Sequence, residues 1–287
     1  MTKQRIAWVT DSTAYITEEL AEHPDVYVLP LAIIFDGTAY EDGVDLTTEE
    51  LYEQISKHKN IPKTSQPAAG RFAELYESLK ENYDAAVAIH ISGQLSGTIE
   101  SSAAGREMSD FDVHIVDSLS MSYAITTLLE KGMKLADNGV SASEIKAELD
   151  TSAKRSENYI LLGSLEQFYK GGRMSGTQYL LGSLLAVKPI IRITNEGKFD
   201  LFQKVRSEKK ALKRMMELFN NSFEKYHIEQ VQILHGNVIN KAEDFKKSMK
   251  EKFPSLEIIT AEISSSIAVH AGEGTLAMIW QNEDKEV

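Results

Sequence analysis

The chain has 287 residues, room for two domains at about 150 residues each. Its 31 Lys and Arg stand against 43 Asp and Glu, a formal net charge of −12, which argues against broad, sequence-independent nucleic-acid binding because that requires a basic surplus to neutralise phosphates. With no cysteine there is no disulfide, thiolate nucleophile or cysteine-ligated metal, and 42% hydrophobic residues suffice for a core.

Residues 5–9 read as a strand, followed by Asp11-Ser12-Thr13 and a helical stretch to about Glu22. Residues 26–35 read as extended, with Pro30 barring a central-strand role. Thr47 and Glu50 form a capping box that opens a helix to about Lys57. Pro67 suits a first helical turn, and Phe72, Leu75, Tyr76 and Leu79 keep helical spacing behind it over 67–80. A compact apolar strand at 85–91 precedes a helix to Met108, and a strand at 112–116 precedes helices at 120–137 and 143–154, with Ser141 and Glu144 as a second capping box. Strands separated by helices predict an N-terminal α/β unit, residues 1–155, with a parallel sheet and helices on both faces.

Beyond the polar stretch Thr151 to Asn158 the pattern changes. Extended runs at 158–162, 187–193, 229–235, 256–263 and 275–281 alternate with helices at about 207–223 and 240–252, and Asn195-Glu196-Gly197 is a hairpin signal. The expectation for residues 156–287 is a second α/β unit with a mixed or antiparallel sheet covered by helices on one side. The N-terminus lacks the apolar run of a secretory signal. The uncharged stretch Met174 to Val187 is shorter than the ~18 apolar residues of a membrane span. A soluble cytoplasmic protein is expected, and no heptad or exposed apolar stripe demands more than a monomer.

The usual chemical signatures are absent: there is no G-x-x-x-x-G-K-[ST] phosphate loop. Gly272, Gly274 and Ala277 mimic a dinucleotide fingerprint, but the residues after them read as a strand, whereas that fingerprint opens a helix. Three hydroxyl-rich turns do stand out, at Asp11-Ser12-Thr13, Thr64-Ser65-Gln66-Pro67 and Ser92 to Thr98. In open parallel sheets ligands bind beyond the carboxyl ends of the strands. Helix-start amides and hydroxyls there suit an anion, although ordinary N-capping explains any single turn. Without Lys or Arg in these turns, a carboxylate fits better than a triphosphate. His270, before a glycine pair, is placed to donate to the same carboxylate, and Arg173 after Gly171-Gly172 to clamp a phosphate or an acidic partner. His90 reads as a satisfied core histidine. The leucines at 180, 181, 184 and 185 read as core or as the lining of an apolar cavity.

Taken together, five blocks resemble the DegV family of bacterial fatty-acid-binding proteins that serve fatty acid kinase. They are V-T-D-S-T at 9–13, K-T-S-Q-P at 63–67, S-G-x-L-S-G-T at 92–98, G-G-R-M-S at 171–175 with K-P-I-I at 188–191, and V-H-A-G-E-G at 269–274. The resemblance implies a long-chain fatty acid buried between two α/β domains, with no cofactor or metal. Thr64, Ser96 and His270 would hold its carboxylate, with Ser65, Ser92 and Gly97 beside them. Arg173 and Arg206 would face the kinase catalytic subunit and the transferred phosphate. It further implies a non-catalytic delivery subunit that hands over the fatty acid, carries away an acyl phosphate for phospholipid synthesis and touches membranes peripherally during lipid exchange. Glu273 departs from the family pattern and places negative charge in sequence near His270. Two other readings stand beside it: a serine esterase acting through Ser96, and a lipid-sensing interaction module with no kinase role.

Overall fold

The computed structural model describes residues 3–57, 61–173 and 187–285. The stretch from 174 to 186, including the four leucines, lies outside the described residues. In chain order the first elements are β1 (Ile6–Asp11), α1 (Glu18–Glu22), β2 (Val26–Leu29), β3 (Ala32–Phe35), β4 (Thr38–Glu41), α2 (Thr48–Lys57) and β5 (Lys63–Ser65). Then come α3 (Ala69–Leu79), β6 (Ala85–His90), α4 (Thr98–Ser109), β7 (Val113–Asp117), α5 (Tyr123–Asp137) and α6 (Ala142–Ser152). The remainder is β8 (Ser156–Leu161), α7 (Leu165–Lys170), β9 (Lys188–Ile193), β10 (Phe199–Val205), α8 (Glu208–Lys225), β11 (Gln230–His235), α9 (Ile239–Lys252), β12 (Glu257–Glu262), α10 (Ser265–Ala271) and β13 (Leu276–Gln281). No helix among the described residues is long and apolar enough to cross a membrane.

The first sheet is parallel, in the order β2-β1-β6-β7. Its central strands read as unbroken apolar runs because both faces are covered. Ile6 and Trp8 face one core with Leu128 and Leu129 of α5, while Ala7 and Val9 face another with Phe72 and Tyr76 of α3. The chain leaves β1 toward β2 on one side and returns on the other as β6, so a crevice opens at the carboxyl ends of β1 and β6, the usual ligand position in such sheets.

The second sheet is mixed and six-stranded, in the order β10-β9-β8-β13-β11-β12, with only β11 and β12 parallel. Helices α8 and α9 cover one face through Met215, Phe219, Phe245 and Met249. On the other face Ile160, Leu162, Ile191, Leu234, Ala277 and Ile279 share one core with the first sheet and its helices. The predicted hairpin joins β9 to β10, with Ile193 opposite Phe199 and Gly197 at φ +80°.

Two expectations change, and one helix is new to the pattern. Residues 26–35 are not one strand: Pro30 is where the chain leaves the parallel sheet, and β3 pairs instead with β4 and β5 in a small antiparallel sheet. The β3–β4 turn is Asp36-Gly37, both at positive φ, the hairpin dipeptide that tolerates this backbone. Thr64 and Ser65 do not open a helix. They belong to β5, and α3 starts two residues after Pro67 with an N-cap at Ala68 that makes no side-chain bond. Finally, α10, which carries His270, had no signal in the apolar pattern. Its N-terminal amide at Ser265 donates to Asp42 Oδ1 (3.1 Å), and Thr48 Oγ1 lies 3.2 Å from Ser265 Oγ. Burial raises the Asp42 carboxyl above its usual range despite its bonds to Ser266, Ser12 and Ser265.

Candidate functional site

A cavity lies between the carboxyl ends of the parallel sheet and the inner face of the mixed sheet. The first sheet contributes the residues just past its strands: Thr13 after β1, Ile91, Leu95, Ser96 and Gly97 after β6, and Met121 and Ser122 after β7. The opposite wall is built on alternate residues, Asn158 and Ile160 from β8 with Leu162 just past its end, and Ala277 and Ile279 from β13. That alternation is what a strand with one face on a cavity produces. Leu31, Phe168, Phe199, Leu234, Ile263 and Ile267 complete a predominantly apolar lining.

One end is polar. Thr64 Oγ1 and His270 Nε2 are 2.9 Å apart, joining β5 to the last turn of α10. Nδ1 of His270 is buried without a partner among the described residues. Burial, reinforced by the positive charge of Arg173, lowers the His270 pKa from 6.5 to about 4, so the imidazole is neutral at pH 7. Arg173 also lines the cavity, and burial lowers its pKa. Its guanidinium bonds the Gly171 carbonyl, and no carboxylate pairs with it among the described residues. A half-buried cation without a counter-charge is an anion-seeking group.

Ser96 and Gly97 reach the same end through Gln66. A Cβ added at Gly97 would stand 3.0 Å from Gln66 Nε2, so the 92–98 turn and the 64–67 segment are in close contact. The Ser96 hydroxyl lies 2.8 Å from Thr98 Oγ1. The structure therefore brings together Thr64, Ser96, Gly97, His270 and Arg173. It does not bring in the other three. Ser65 is off the lining, with its hydroxyl donating to the Gln66 carbonyl at 3.3 Å. Ser92 is fully buried and donates to the Gly197 carbonyl at 3.0 Å, fastening the β9–β10 hairpin to the first sheet. Arg206 is exposed between β10 and α8. Glu273 turns away from the cavity to accept from Asn237 Nδ2 at 2.8 Å, and it is not among the causes of the His270 shift.

His90 is a core histidine, with an arrangement that sequence order hides. Its Nδ1 lies 3.2 Å from Asp11 Oδ2 and its Nε2 3.0 Å from Ser102 Oγ, which in turn lies 2.6 Å from Tyr76 OH. Carboxylate, imidazole and hydroxyl stand in triad order, but all of these side chains are fully buried. A nucleophile must reach its substrate, so this chain of bonds is structural. Ser96, the hydroxyl that does face the cavity, is bonded to Thr98, and the histidine across the cavity is bonded to Thr64. Neither contact pairs Ser96 with a base. Among the described residues no cluster of three or more His, Asp or Glu side chains is arranged for a metal.

A model of the DegV family, described as uncharacterised proteins, matches residues 5–283. A DegV domain-containing protein of Listeria innocua is 36% identical over 279 residues, 96% of this chain and 98% of the relative. Among solved structures, a fatty acid binding DegV family protein from Streptococcus agalactiae superposes with a TM-score of 0.92 at 29% identity, covering 98% of this chain and 100% of that one. DegV from Bacillus subtilis, a fatty acid binding protein, gives 0.88 at 34% identity, with 98% and 100% covered.

Proposed function

The chain belongs to the DegV family, and on that premise we propose that it holds a long-chain fatty acid in the cavity between its two sheets and presents the carboxylate to a separate kinase subunit. The observation that carries this reading is the pairing of an apolar cavity with a single cationic corner. Thr64, His270 and Arg173, which has no carboxylate partner among the described residues, stand at one end, and mostly apolar side chains line the walls. A buried carboxylate is costly unless donors and a counter-charge meet it. The Thr64 and Ser96 hydroxyls, a His270 N–H and the Gly97 backbone supply the donors, and Arg173 the charge. The acyl chain adds about 0.8 kcal/mol for each methylene buried.

The division at residue 155 belongs to the same proposal. Residues 1–155 supply the carboxylate turns and 156–287 the acyl wall, with His270 and Arg173 arriving from the second part. Arg173 is the better placed of the two predicted arginines to follow the carboxylate through phosphorylation, since it lines the cavity while Arg206 stands outside it. The chain carries no phosphate loop for ATP, which suits a partner that supplies the nucleotide.

Native mass spectrometry of protein purified from a bacterial host, followed by mass analysis of an organic extract, tests the binding. One fatty acid per chain is expected. A protein that emerges empty and ignores added fatty acids would overturn the proposal. Delivery is tested by reconstitution with a fatty acid kinase subunit and ATP, where acyl phosphate must appear only when this chain is present.

A further inference from the structure

The end of the cavity away from His270 also carries polar groups, and a plain hydrocarbon tail leaves them unsatisfied. The cavity runs along β8 and β13. At the His270 end, Ser164 N donates to the Ala271 carbonyl (3.1 Å) just beyond Leu162, and Thr275 Oγ1 donates to the same carbonyl (2.9 Å). Four residues back along β8, roughly 13 Å at strand rise, Asn158 faces the same cavity beside Ile279, its direct partner on β13.

Asn158 is 2% exposed. Its Nδ2 donates to Ser120 Oγ at 2.9 Å and Ser156 Oγ at 3.2 Å, while its Oδ1 has no partner among the described residues. Turning the amide over exchanges the two atoms but still leaves one of them unpaired. Gln232 lies in the same row across the sheet, paired with Ile279 on its other side. It shares a face with the cavity-lining Leu234 two residues on, is fully buried, and has both amide atoms unpaired among the described residues. Ser122, two residues beyond Ser120, lines the cavity at φ +56°, and its hydroxyl makes no capping bond to α5. Asn158 and Ser122 thus line the far end of a cavity whose middle is apolar, with the Gln232 carboxamide buried beside Ile279 in the same row of the sheet.

We infer that this end is a second recognition point, for a fatty acid that carries a hydroxyl on the distal part of its acyl chain. A hydroxyl both donates and accepts, so it satisfies Asn158 in either amide orientation and has Ser122 as a further partner. A bare methylene chain would seal the unpaired amide atoms in an apolar environment, the condition under which a missing hydroxyl is most strongly discriminated against. The inference rests on the fatty-acid reading above and adds to it the class of acyl chain.

Delipidated protein titrated with palmitic acid, and with hydroxypalmitic acids whose hydroxyl is moved along the distal half of the chain, tests it. One or two isomers are expected to bind about tenfold more tightly than palmitic acid, the worth of one buried hydrogen bond that would otherwise be lost. Asn158→Leu is expected to bring that ratio to about one. If every isomer binds no better than palmitic acid, the inference fails and the amides are satisfied by trapped water. If neither palmitic acid nor any isomer binds, it is the fatty-acid proposal that fails. The isomer series on the unaltered protein decides the matter even where Asn158→Leu does not fold.

Discussion

Two adjacent glycines, Gly171 and Gly172, should respond to alanine in opposite ways. Gly171 has ordinary right-handed helical dihedrals (φ −65°, ψ −20°), so its backbone accepts alanine without dihedral strain. Its Cβ, however, would overlap Nδ1 of His270, and the ring must recoil by about 1 Å to reach normal contact distance. That movement breaks the 2.9 Å contact with Thr64 and withdraws one donor from the carboxylate. A hydrogen bond to a charged group contributes about 1.5–3 kcal/mol, so fatty-acid affinity should fall roughly ten- to a hundredfold. Gly172 is the converse. A Cβ there meets nothing within 4 Å, but φ is +69°, where alanine costs about 1–2 kcal/mol. Gly172→Ala should therefore lower stability with little change in affinity. Calorimetric titration of delipidated proteins and urea unfolding measure both quantities. Unchanged fatty-acid affinity in Gly171→Ala would refute the assignment of His270 as a carboxylate donor held in place by close packing.

Three further outcomes follow from bonds already described. Ser92→Ala removes the bond to the Gly197 carbonyl and should cost about 1 kcal/mol in urea unfolding while leaving fatty-acid affinity alone; an affinity loss beyond severalfold would restore Ser92 to the carboxylate end. Ser102→Ala strands His90 Nε2 and Tyr76 OH in the core, so a loss of about 2 kcal/mol is expected, and a change below the error of the measurement would contradict the structural role given to that network. His270, neutral in the folded state down to about pH 4, takes up a proton near 6.5 once unfolded. Stability is therefore full above pH 6.5 and declines as pH falls toward 4, by at most about 3 kcal/mol. His270→Gln should flatten that part of the pH–stability curve, and identical curves for the two proteins would refute the burial of a neutral imidazole.

Much of the fold could be read from the sequence where one local rule governed each element. The central strands β1 and β6 are continuous apolar runs because helices cover both faces. In the second half, the expected strands and helices fall within about two residues of the observed ones, since α8 and α9 shield one face and the cavity the other. The failures lie where tertiary contacts decide. Nothing local distinguishes β2 from β3 on either side of Pro30, because their difference is which sheet each joins. The three-residue strand β5 has no period to detect, and it is a strand only because Ile33 pairs with Thr64. The Asp36-Gly37 dipeptide is the local signal for the β3–β4 hairpin, whereas the third strand of the small sheet carries none.

For the site, the hydroxyl-rich turns were legible as a class but not individually. A serine in a βα turn caps, fastens or binds, and sequence does not separate these uses. Ser96 and Ser92 are four residues apart in one glycine-rich turn, yet one faces the cavity and the other is buried against the Gly197 carbonyl. The deciding partner lies 105 positions away, on a hairpin whose own sequence shows no reason to meet this turn. Asn158 was illegible for the same reason. In the sequence it stands where the polar stretch meets the expected strand at 158–162; β8 starts at Ser156, and strand alternation turns its amide inward with Ile160 and Leu162. Which face of β8 meets the first sheet is a tertiary matter, and it is that choice which makes this asparagine part of the cavity wall and the far end of the cavity a polar surface rather than hydrocarbon.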